Sequence, residues 1–123
     1  MEVKIISTEA LEQLMRDHPR LFLIDVRRPE EIKDYGSIEE KAKNVPVQEI
    51  ESAFALSPED FEQTYQFPKP SVNDEIVVYC RTGSRSHMAA EFLLGNGFLD
   101  VRNYKDSVQG WAAKHPDGKV RMY

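Results

Sequence analysis

The 123-residue chain has one cysteine, Cys80, and no long apolar run. A single cysteine excludes a disulfide within the chain, a resolving cysteine beside a reactive one, and a zinc site built from several cysteines. A helix that crosses a membrane needs about 20 apolar residues, and the sequence offers no such run. The start of the sequence, residues 1–4, shows neither the apolar segment of a signal peptide nor the arginine-rich pattern of a transit peptide. We therefore expect a cytoplasmic protein with no membrane partner, or a mitochondrial one if a leader has been removed.

Basic residues are outnumbered by acidic ones, with 16 Lys and Arg against 21 Asp and Glu and a net charge of −5. This balance argues against nucleic acid and acidic membranes as partners. Hydrophobic residues make up 41% and charged residues 30%, as in an ordinary soluble globular protein. The sequence has no internal repeat and no low-complexity segment. We therefore expect one monomeric domain over residues 1–123, of which about 119–123 form a C-terminal tail.

Short apolar segments alternate with segments of helical character along the chain. The predicted strands are Val3–Ile6, Leu21–Ile24, Asn44–Pro46, Ile76–Tyr79 and Val101–Tyr104. The predicted helices run from Ser7 or Thr8 to about Asp17, from Pro29 to Gly36, from Val47 to about Leu56, from Pro58 onward, from Ser86 to Leu94, and from Asp106 or Ser107 through Trp111. This alternation predicts an α/β fold with a parallel sheet covered on both faces. In such sheets ligands bind beyond the carboxyl ends of the strands.

The most informative stretch is a strand, a tight loop and a helix around the single cysteine. Ile76–Tyr79 is uncharged, Cys80 stands where that strand ends, and Ser86–Leu94 carries apolar residues at helical spacing. A loop of this kind turns backbone N–H groups inward and adds the positive end of a helix dipole. With Arg81 and Arg85 beside it, the thiol is expected to have a pKa below the ~8.5 of a free cysteine. We therefore predict an exposed, nucleophilic thiolate in a loop that binds negative charge; the alternative is a small buried hydrophobic residue.

Three further residues are candidates for the rim of the same pocket. Asp25 follows the second predicted strand, either at the rim or as an anchor that accepts hydrogen bonds from neighbouring loop N–H groups. Arg27 either faces the pocket or is solvated in the loop. Asp106 either caps the last helix or adds negative charge near the pocket mouth, and we favour capping. His87 is expected on the surface, and Trp111 is expected to pack in the core.

These segments together resemble the rhodanese-type sulfurtransferases. Cys80–Arg85, with the sequence Cys-Arg-Thr-Gly-Ser-Arg, is similar to the six-residue active-site loop of that family. Asp25-Val-Arg27 resembles its early Asp-Val-Arg signature, and Tyr104–Trp111 resembles its closing segment. The similarity covers nearly the whole chain and is greatest to the short, single-domain thiosulfate sulfurtransferases. Ser57–Phe61 and Lys69-Pro70 resemble that subgroup in particular.

Two segments depart from the usual pattern of the family. Gly36–Pro46 lacks the histidine and the inner Pro-Gly pair that members usually have there, and it is one residue longer. This difference affects the expected path of that loop and leaves the expected fold unchanged. Asp106-Ser107 stands where the family usually has two glycines before the tryptophan.

The resemblance implies a three-layer α/β/α rhodanese-like fold whose five-stranded parallel sheet has the order 3-2-4-5-1. It also implies a thiosulfate sulfurtransferase that carries sulfur as a persulfide on the catalytic Cys80 and needs no metal or organic cofactor. Glutathione or thioredoxin is the implied acceptor, and cyanide replaces it in vitro. The implied substrate-binding residues, whose N–H groups or side chains hold the persulfide and the sulfonate, are Arg81, Thr82, Gly83, Ser84 and Arg85.

Three alternatives stay open from the sequence. Cysteine phosphatases and arsenate reductases also use a Cys-to-Arg loop, but theirs has one residue more than the four between Cys80 and Arg85. A non-catalytic rhodanese-like binding module usually lacks the cysteine, which this chain keeps. A sulfur-relay carrier, loaded by a cysteine desulfurase, has no motif that would separate it from a thiosulfate-dependent enzyme.

Overall fold

The computed structural model describes residues 2–121, and within them the chain forms five strands and six α-helices. The strands are β1 (Lys4–Ile5), β2 (Phe22–Asp25), β3 (Lys43–Asn44), β4 (Glu75–Tyr79) and β5 (Asp100–Asn103). The helices are α1 (Thr8–Asp17), α2 (Pro29–Tyr35), α3 (Ile50–Ala55), α4 (Pro58–Tyr65), α5 (Ser84–Gly95) and α6 (Ser107–Lys114), with a 3-10 turn at Val47–Glu49 before α3.

All five strands are parallel and lie in the order β1-β5-β4-β2-β3. Read from the opposite edge, this is the predicted order 3-2-4-5-1, so the predicted α/β sheet is confirmed. β4 lies at the centre of the sheet, and β2 is its neighbour. Asp25 at the end of β2 is in register with Tyr79 at the end of β4. Cys80, the next residue, therefore emerges beside Asp25 at the carboxyl edge of the sheet.

The two faces of the sheet bury separate hydrophobic clusters, because successive side chains of a strand point to opposite faces. From β4, Ile76 and Val78 enter the cluster beneath α3, α4 and α5, whereas Val77 and Tyr79 enter the cluster beneath α1 and α6. Helices thus cover both faces, which gives the predicted three layers. Trp111 is 7% exposed and lies in the second cluster, so its predicted role in packing is confirmed.

The C-terminal segment up to Arg121 packs on the domain, in contrast to the tail predicted from about residue 119. Val120 is 5% exposed and belongs to the second hydrophobic cluster. The Arg121 N–H donates to the Tyr35 carbonyl over 2.7 Å. Gly36 has φ 83°, and a Cβ there would lie 2.5 Å from the Lys119 carbonyl oxygen, so only glycine permits this approach. The remaining residues of the predicted tail, 122 and 123, lie outside the described residues.

Candidate active site

The loop around Cys80 is tighter than the sequence predicted, because α5 begins at Ser84 and not at Ser86. Gly83 occupies the N-cap position of α5 with φ 96°. A Cβ at Gly83 would also lie 2.4 Å from the Lys105 carbonyl oxygen. Position 83 therefore requires glycine for two reasons: its φ is positive, and a Cβ would collide with the Lys105 carbonyl oxygen. This turn brings the backbone of the loop back over the cysteine.

The Cys80 sulfur lies inside a ring of hydrogen-bond donors. The Gly83 N–H donates to Sγ over 3.1 Å, and the Ser86 hydroxyl oxygen lies 3.4 Å from Sγ. The backbone of Cys80 is bound as well: its N–H donates to the Ser107 hydroxyl over 3.1 Å, and that hydroxyl donates to the Tyr104 carbonyl over 2.8 Å. Cys80 is 0% exposed. The prediction of an exposed thiolate is therefore wrong in its exposure, because the turn at Gly83 and α6 enclose the residue.

Burial and hydrogen bonding act on the Cys80 thiol in opposite directions. Burial alone would raise the pKa of Cys80, because a charged sulfur loses its hydration. The Ser86 hydroxyl and the N–H groups of Ser86, Gly83 and Thr82 lower it, since each stabilises the thiolate. Their sum outweighs burial, and the pKa of Cys80 is lowered from its ordinary value. His87 takes no part, as it is exposed on α5 with Nε2 3.4 Å from Glu91 Oε1.

Arg85 is held by a carboxylate that the sequence analysis did not single out. Its guanidinium forms two bonds with Glu31, Nη1–Oε1 at 2.6 Å and Nη2–Oε2 at 3.0 Å. Glu31 is only 8% exposed and also accepts the Arg28 N–H over 3.1 Å at the start of α2. The ion pair thus joins α2 to the end of the active-site loop. The sequence places Glu31 only at the start of the helix that begins at Pro29, because its partner Arg85 is 54 residues away.

Arg81 lies on the same side of the loop, in a pocket of about 480 Å³ between the loop and α2. This pocket, called the arginine pocket below, is lined by Arg28, Glu30, Glu31, Asp34, Tyr35, Arg81 and Arg85. It contains three guanidinium groups and three carboxylates. Thr82 and Ser84 are exposed and line a different pocket on the β5 side of the loop.

Asp25 and Arg27 form a buried ion pair and do not reach the rim of either pocket. They are 1% and 0% exposed, and Arg27 Nη2 lies 2.7 Å from Asp25 Oδ2. Asp25 also accepts the Arg27 N–H over 2.9 Å, which agrees with its alternative role as an anchor. Arg27 donates in addition to the Gly36 carbonyl over 2.8 Å. The rim assignment of both is therefore wrong, as is solvation of Arg27, because the turn folds the guanidinium back onto the carboxylate.

Within residues 2–121, Asp106 does not cap α6 with its side chain, and Ser107 contributes to the site instead. Asp106 is exposed at the N-cap position of α6, but its carboxylate makes no capping hydrogen bond within the described residues. Ser107 is fully buried with φ 55° and supplies the hydroxyl beneath Cys80. The predicted capping by the Asp106 carboxylate is thus wrong. Ser107 thus binds the backbone of the candidate catalytic residue. The only sequence signal for this role is its position shortly before Trp111.

The family model described as the rhodanese-like domain matches residues 7–114 of the chain. The putative mitochondrial thiosulfate sulfurtransferase of Schizosaccharomyces pombe is 47% identical over 92 residues. The match covers 75% of this chain and 63% of that protein, so the chain spans slightly less than two thirds of that relative's length. The human thiosulfate:glutathione sulfurtransferase is 36% identical over 77% of this chain and 82% of its own. The structure of the human single-domain sulfurtransferase TSTD1 superposes with a TM-score of 0.84 at 32% identity, covering 92% of this chain and 98% of that one. With the strand order and the loop around Cys80, these matches establish that the chain belongs to the rhodanese-like domain family.

Proposed function

We propose that this chain is a thiosulfate sulfurtransferase, which moves a sulfane sulfur from thiosulfate to a thiol acceptor through a persulfide on Cys80. The observation that carries the proposal is the ring of donors around Sγ, with the Gly83 N–H at 3.1 Å and the Ser86 hydroxyl at 3.4 Å. These donors lower the pKa of the thiol in spite of its burial. The names of the fission yeast and human relatives support thiosulfate as donor, and that of the human relative supports glutathione as acceptor.

In the first step the Cys80 thiolate attacks the outer sulfur of thiosulfate. The bond between Sγ and that sulfur forms while the sulfur–sulfur bond of thiosulfate breaks, and sulfite leaves with the bonding electron pair. The negative charge moves from Sγ to the terminal sulfur of the persulfide. The N–H groups of Thr82, Gly83 and Ser86 stabilise the charge on Sγ before the step, and we expect backbone N–H groups of the same loop to stabilise the charge on the terminal sulfur after it.

In the second step the thiolate of the acceptor attacks the terminal sulfur of the persulfide. The bond from Sγ to that sulfur breaks, the acceptor leaves as a persulfide, and the Cys80 thiolate is restored. With cyanide as acceptor, the product is thiocyanate. Both steps use a sulfur nucleophile or leaving group of low pKa, which is the property that the loop confers on Cys80.

The two arginines of the loop serve the first step differently. Arg85 is tied to Glu31 by two hydrogen bonds, and it therefore fixes the end of the loop more than it binds the sulfonate. Arg81 lines the arginine pocket together with Arg28, and these two guanidinium groups attract and orient the donor dianion. The four residues between Cys80 and Arg85 leave a loop suited to one sulfur atom more than to a tetrahedral phosphate.

We further propose that residues 1–123 act as a single domain and as a monomer. The family model matches residues 7–114 as one unit, which supports the single domain. The name of the fission yeast relative includes a mitochondrial location, which supports the mitochondrial alternative for the compartment.

Intact mass measured after incubation with thiosulfate tests the proposal, with Cys80→Ser as the matched control. We expect the wild-type chain to gain one sulfur atom and to lose it on addition of glutathione or cyanide, while the variant gains nothing. If the wild type gains no sulfur although a small thiol reagent modifies Cys80, thiosulfate is not the donor. A sulfur-relay carrier or a binding module would then be the better interpretation.

A further inference from the structure

A second pocket of about 400 Å³ adjoins the active-site loop on the side of β5. This pocket, called the Asn103 pocket below, is lined by Ile5, Thr82, Gly83, Ser84, His87, Asn103 and Lys105. Gly83 lies between this pocket and the reactive sulfur, because it lines the pocket and its N–H donates to Sγ over 3.1 Å. The arginine pocket lies on the other side of the loop, next to α2. The loop therefore separates two cavities of different chemistry.

Asn103, which lines the second pocket, has a buried side-chain oxygen without a hydrogen-bond donor among the described residues. The side chain is 1% exposed, and its Nδ2 donates to the Gly83 carbonyl over 3.1 Å. Its Oδ1 is buried and accepts no hydrogen bond from the described residues. Buried side-chain oxygens without a partner are rare in folded proteins and call for a ligand or a water. Thiosulfate dianion has no N–H or O–H group to offer, so it cannot satisfy this oxygen.

Lys105 places a positive charge at the mouth of the same pocket. Its side chain passes over Gly83, with Cγ 3.0 Å from the position that a Cβ on Gly83 would take. It is exposed, and no carboxylate of residues 2–121 lies within ion-pair distance of it. A ligand here would thus meet a cation at the surface and an amide oxygen at depth.

We propose that the Asn103 pocket is the subsite for the acceptor, a small peptide thiol that carries a carboxylate and an amide N–H. The inference rests on the proposed sulfurtransferase function and deepens it. Lys105 pairs with the carboxylate, and Asn103 Oδ1 accepts the amide N–H. The thiol is then held beside Gly83, where it reaches the persulfide sulfur from the side opposite to the arginine pocket. Glutathione has this set of groups, whereas 2-mercaptoethanol has a thiol and a hydroxyl but neither the carboxylate that Lys105 would bind nor an amide.

The test follows the loss of the persulfide from preloaded protein by intact mass. Cys80 is loaded with thiosulfate or with inorganic polysulfide, so the failure of thiosulfate as donor would not affect this measurement. Glutathione and 2-mercaptoethanol are then compared as acceptors. For Lys105→Gln we expect the rate with glutathione to fall about two- to fivefold, and for Lys105→Glu on the order of tenfold, as for an exposed ion pair lost or reversed. The rate with 2-mercaptoethanol stays unchanged.

Lys43→Glu is the matched control, because Lys43 is exposed on β3 at the far edge of the sheet and undergoes the same change of charge. Its rate with glutathione should equal that of the wild type. Equal loss for Lys43→Glu and Lys105→Glu would trace the effect to net charge and overturn the proposal. An equal fall with both thiols, or no fall with glutathione in either Lys105 variant, would overturn it as well.

Discussion

At the scale of single residues, the ionisation of Cys80 is decided by a competition between burial and hydrogen bonds. A sulfur that is 0% exposed should resist ionisation, yet four donors around it favour the thiolate and lower its pKa. Two of these donations come from one residue, the hydroxyl and the N–H of Ser86. The reactivity of the thiol therefore depends strongly on a serine that faces the core and not the solvent.

Removal of the Ser86 hydroxyl should raise the pKa of Cys80, because one donor fewer then offsets the rise in pKa that burial causes. We expect the thiolate absorbance of Ser86→Ala to titrate at higher pH than that of the wild type, with Cys80→Ser as the blank for the tyrosines. Since the folded pKa is lowered, ionisation stabilises the fold above the pKa of the unfolded thiol. That stability is lost as the pH falls through the folded pKa. Coincident titration curves for the wild type and Ser86→Ala would contradict this account.

Ser107 combines an unfavourable backbone conformation with two buried hydrogen bonds. It adopts φ 55°, a region that costs a residue with a side chain roughly 1–2 kcal/mol, while its hydroxyl bridges the Cys80 N–H and the Tyr104 carbonyl. Ser107→Ala keeps the strain and leaves the Cys80 N–H unsatisfied, so we expect it to lower the free energy of unfolding by about 1–3 kcal/mol. Ser107→Gly loses the same bonds but relieves the strain, and it should cost less.

Urea unfolding measures both Ser107 variants, and Ser52→Ala serves as control. Ser52 is exposed, and its hydroxyl donates only to the Glu49 carbonyl, so its removal should change the free energy of unfolding by no more than about 0.5 kcal/mol. If Ser107→Gly were the less stable of the two Ser107 variants, the backbone conformation would not be strained and the argument would fail.

At the scale of elements, the active-site loop is fixed from two directions. α6 supports it from below through the Ser107 hydroxyl, and α2 holds its far end through the pair of Glu31 and Arg85. α2 itself begins directly after the buried pair of Asp25 and Arg27, so the position of Glu31 is set by the end of β2. The loop therefore keeps its shape only if both helices keep theirs.

Glu31→Gln should slow persulfide formation, because the loop loses the charge that aligns Arg85. A displacement of about 1 Å at a reacting group can cost on the order of a hundredfold, so we expect kcat/KM for thiosulfate to fall by roughly ten- to a hundredfold. Steady-state rates with thiosulfate and cyanide provide the measurement. Glu62→Gln, the same change on an exposed residue of α4, should leave the rate as it is.

A double-variant cycle separates this ion pair from a general effect of charge. The double variant Glu31→Gln with Arg85→Gln should lose less transition-state free energy, calculated from kcat/KM, than the sum of the losses in the two single variants. The reason is that each single change already breaks the same ion pair. Strict additivity of the two losses would show that Glu31 and Arg85 act independently.

The sequence predicted the elements better than it predicted the contacts between them. The uncharged run of β4 and the residue that ends it placed Cys80 at the carboxyl edge of the sheet, because both signals are local. The partner of Arg85 is 54 residues away, and the hydroxyl beneath the Cys80 N–H is 27 residues away. Such distances leave no pattern in a single sequence, so the binding of Arg85 to Glu31 was missed and the burial of Cys80 was only the less favoured alternative.

At the scale of the whole molecule, the C-terminal segment closes the side of the domain next to α2. Val120 packs into the second hydrophobic cluster, and the Lys119 backbone lies against Gly36. The Gly36 carbonyl in turn accepts a hydrogen bond from Arg27. The last described residues thus contact the same turn that the buried ion pair stabilises.

Val120→Ala should destabilise the domain by about 1–3 kcal/mol, as expected for loss of buried apolar volume. Val72→Ala is the matched control, because Val72 is 43% exposed and its truncation should change the free energy of unfolding by no more than about 0.5 kcal/mol. Thermal or urea unfolding distinguishes them. Equal stability of Val120→Ala and the wild type would mean that the segment behaves as the tail that the sequence suggested.

The pairing of the first strand with the last governs the order in which the chain can assemble. β1 bonds to β5, and the hydroxyls of Thr8 and Tyr104, 2.6 Å apart, are separated by 96 residues of sequence. Bringing such distant segments together costs chain entropy before any contact forms, and folding slows as this separation grows. The pairing of β2 with β4 closes a shorter loop. The centre of the sheet should therefore form early in folding, and the two-residue edge strand should join it last.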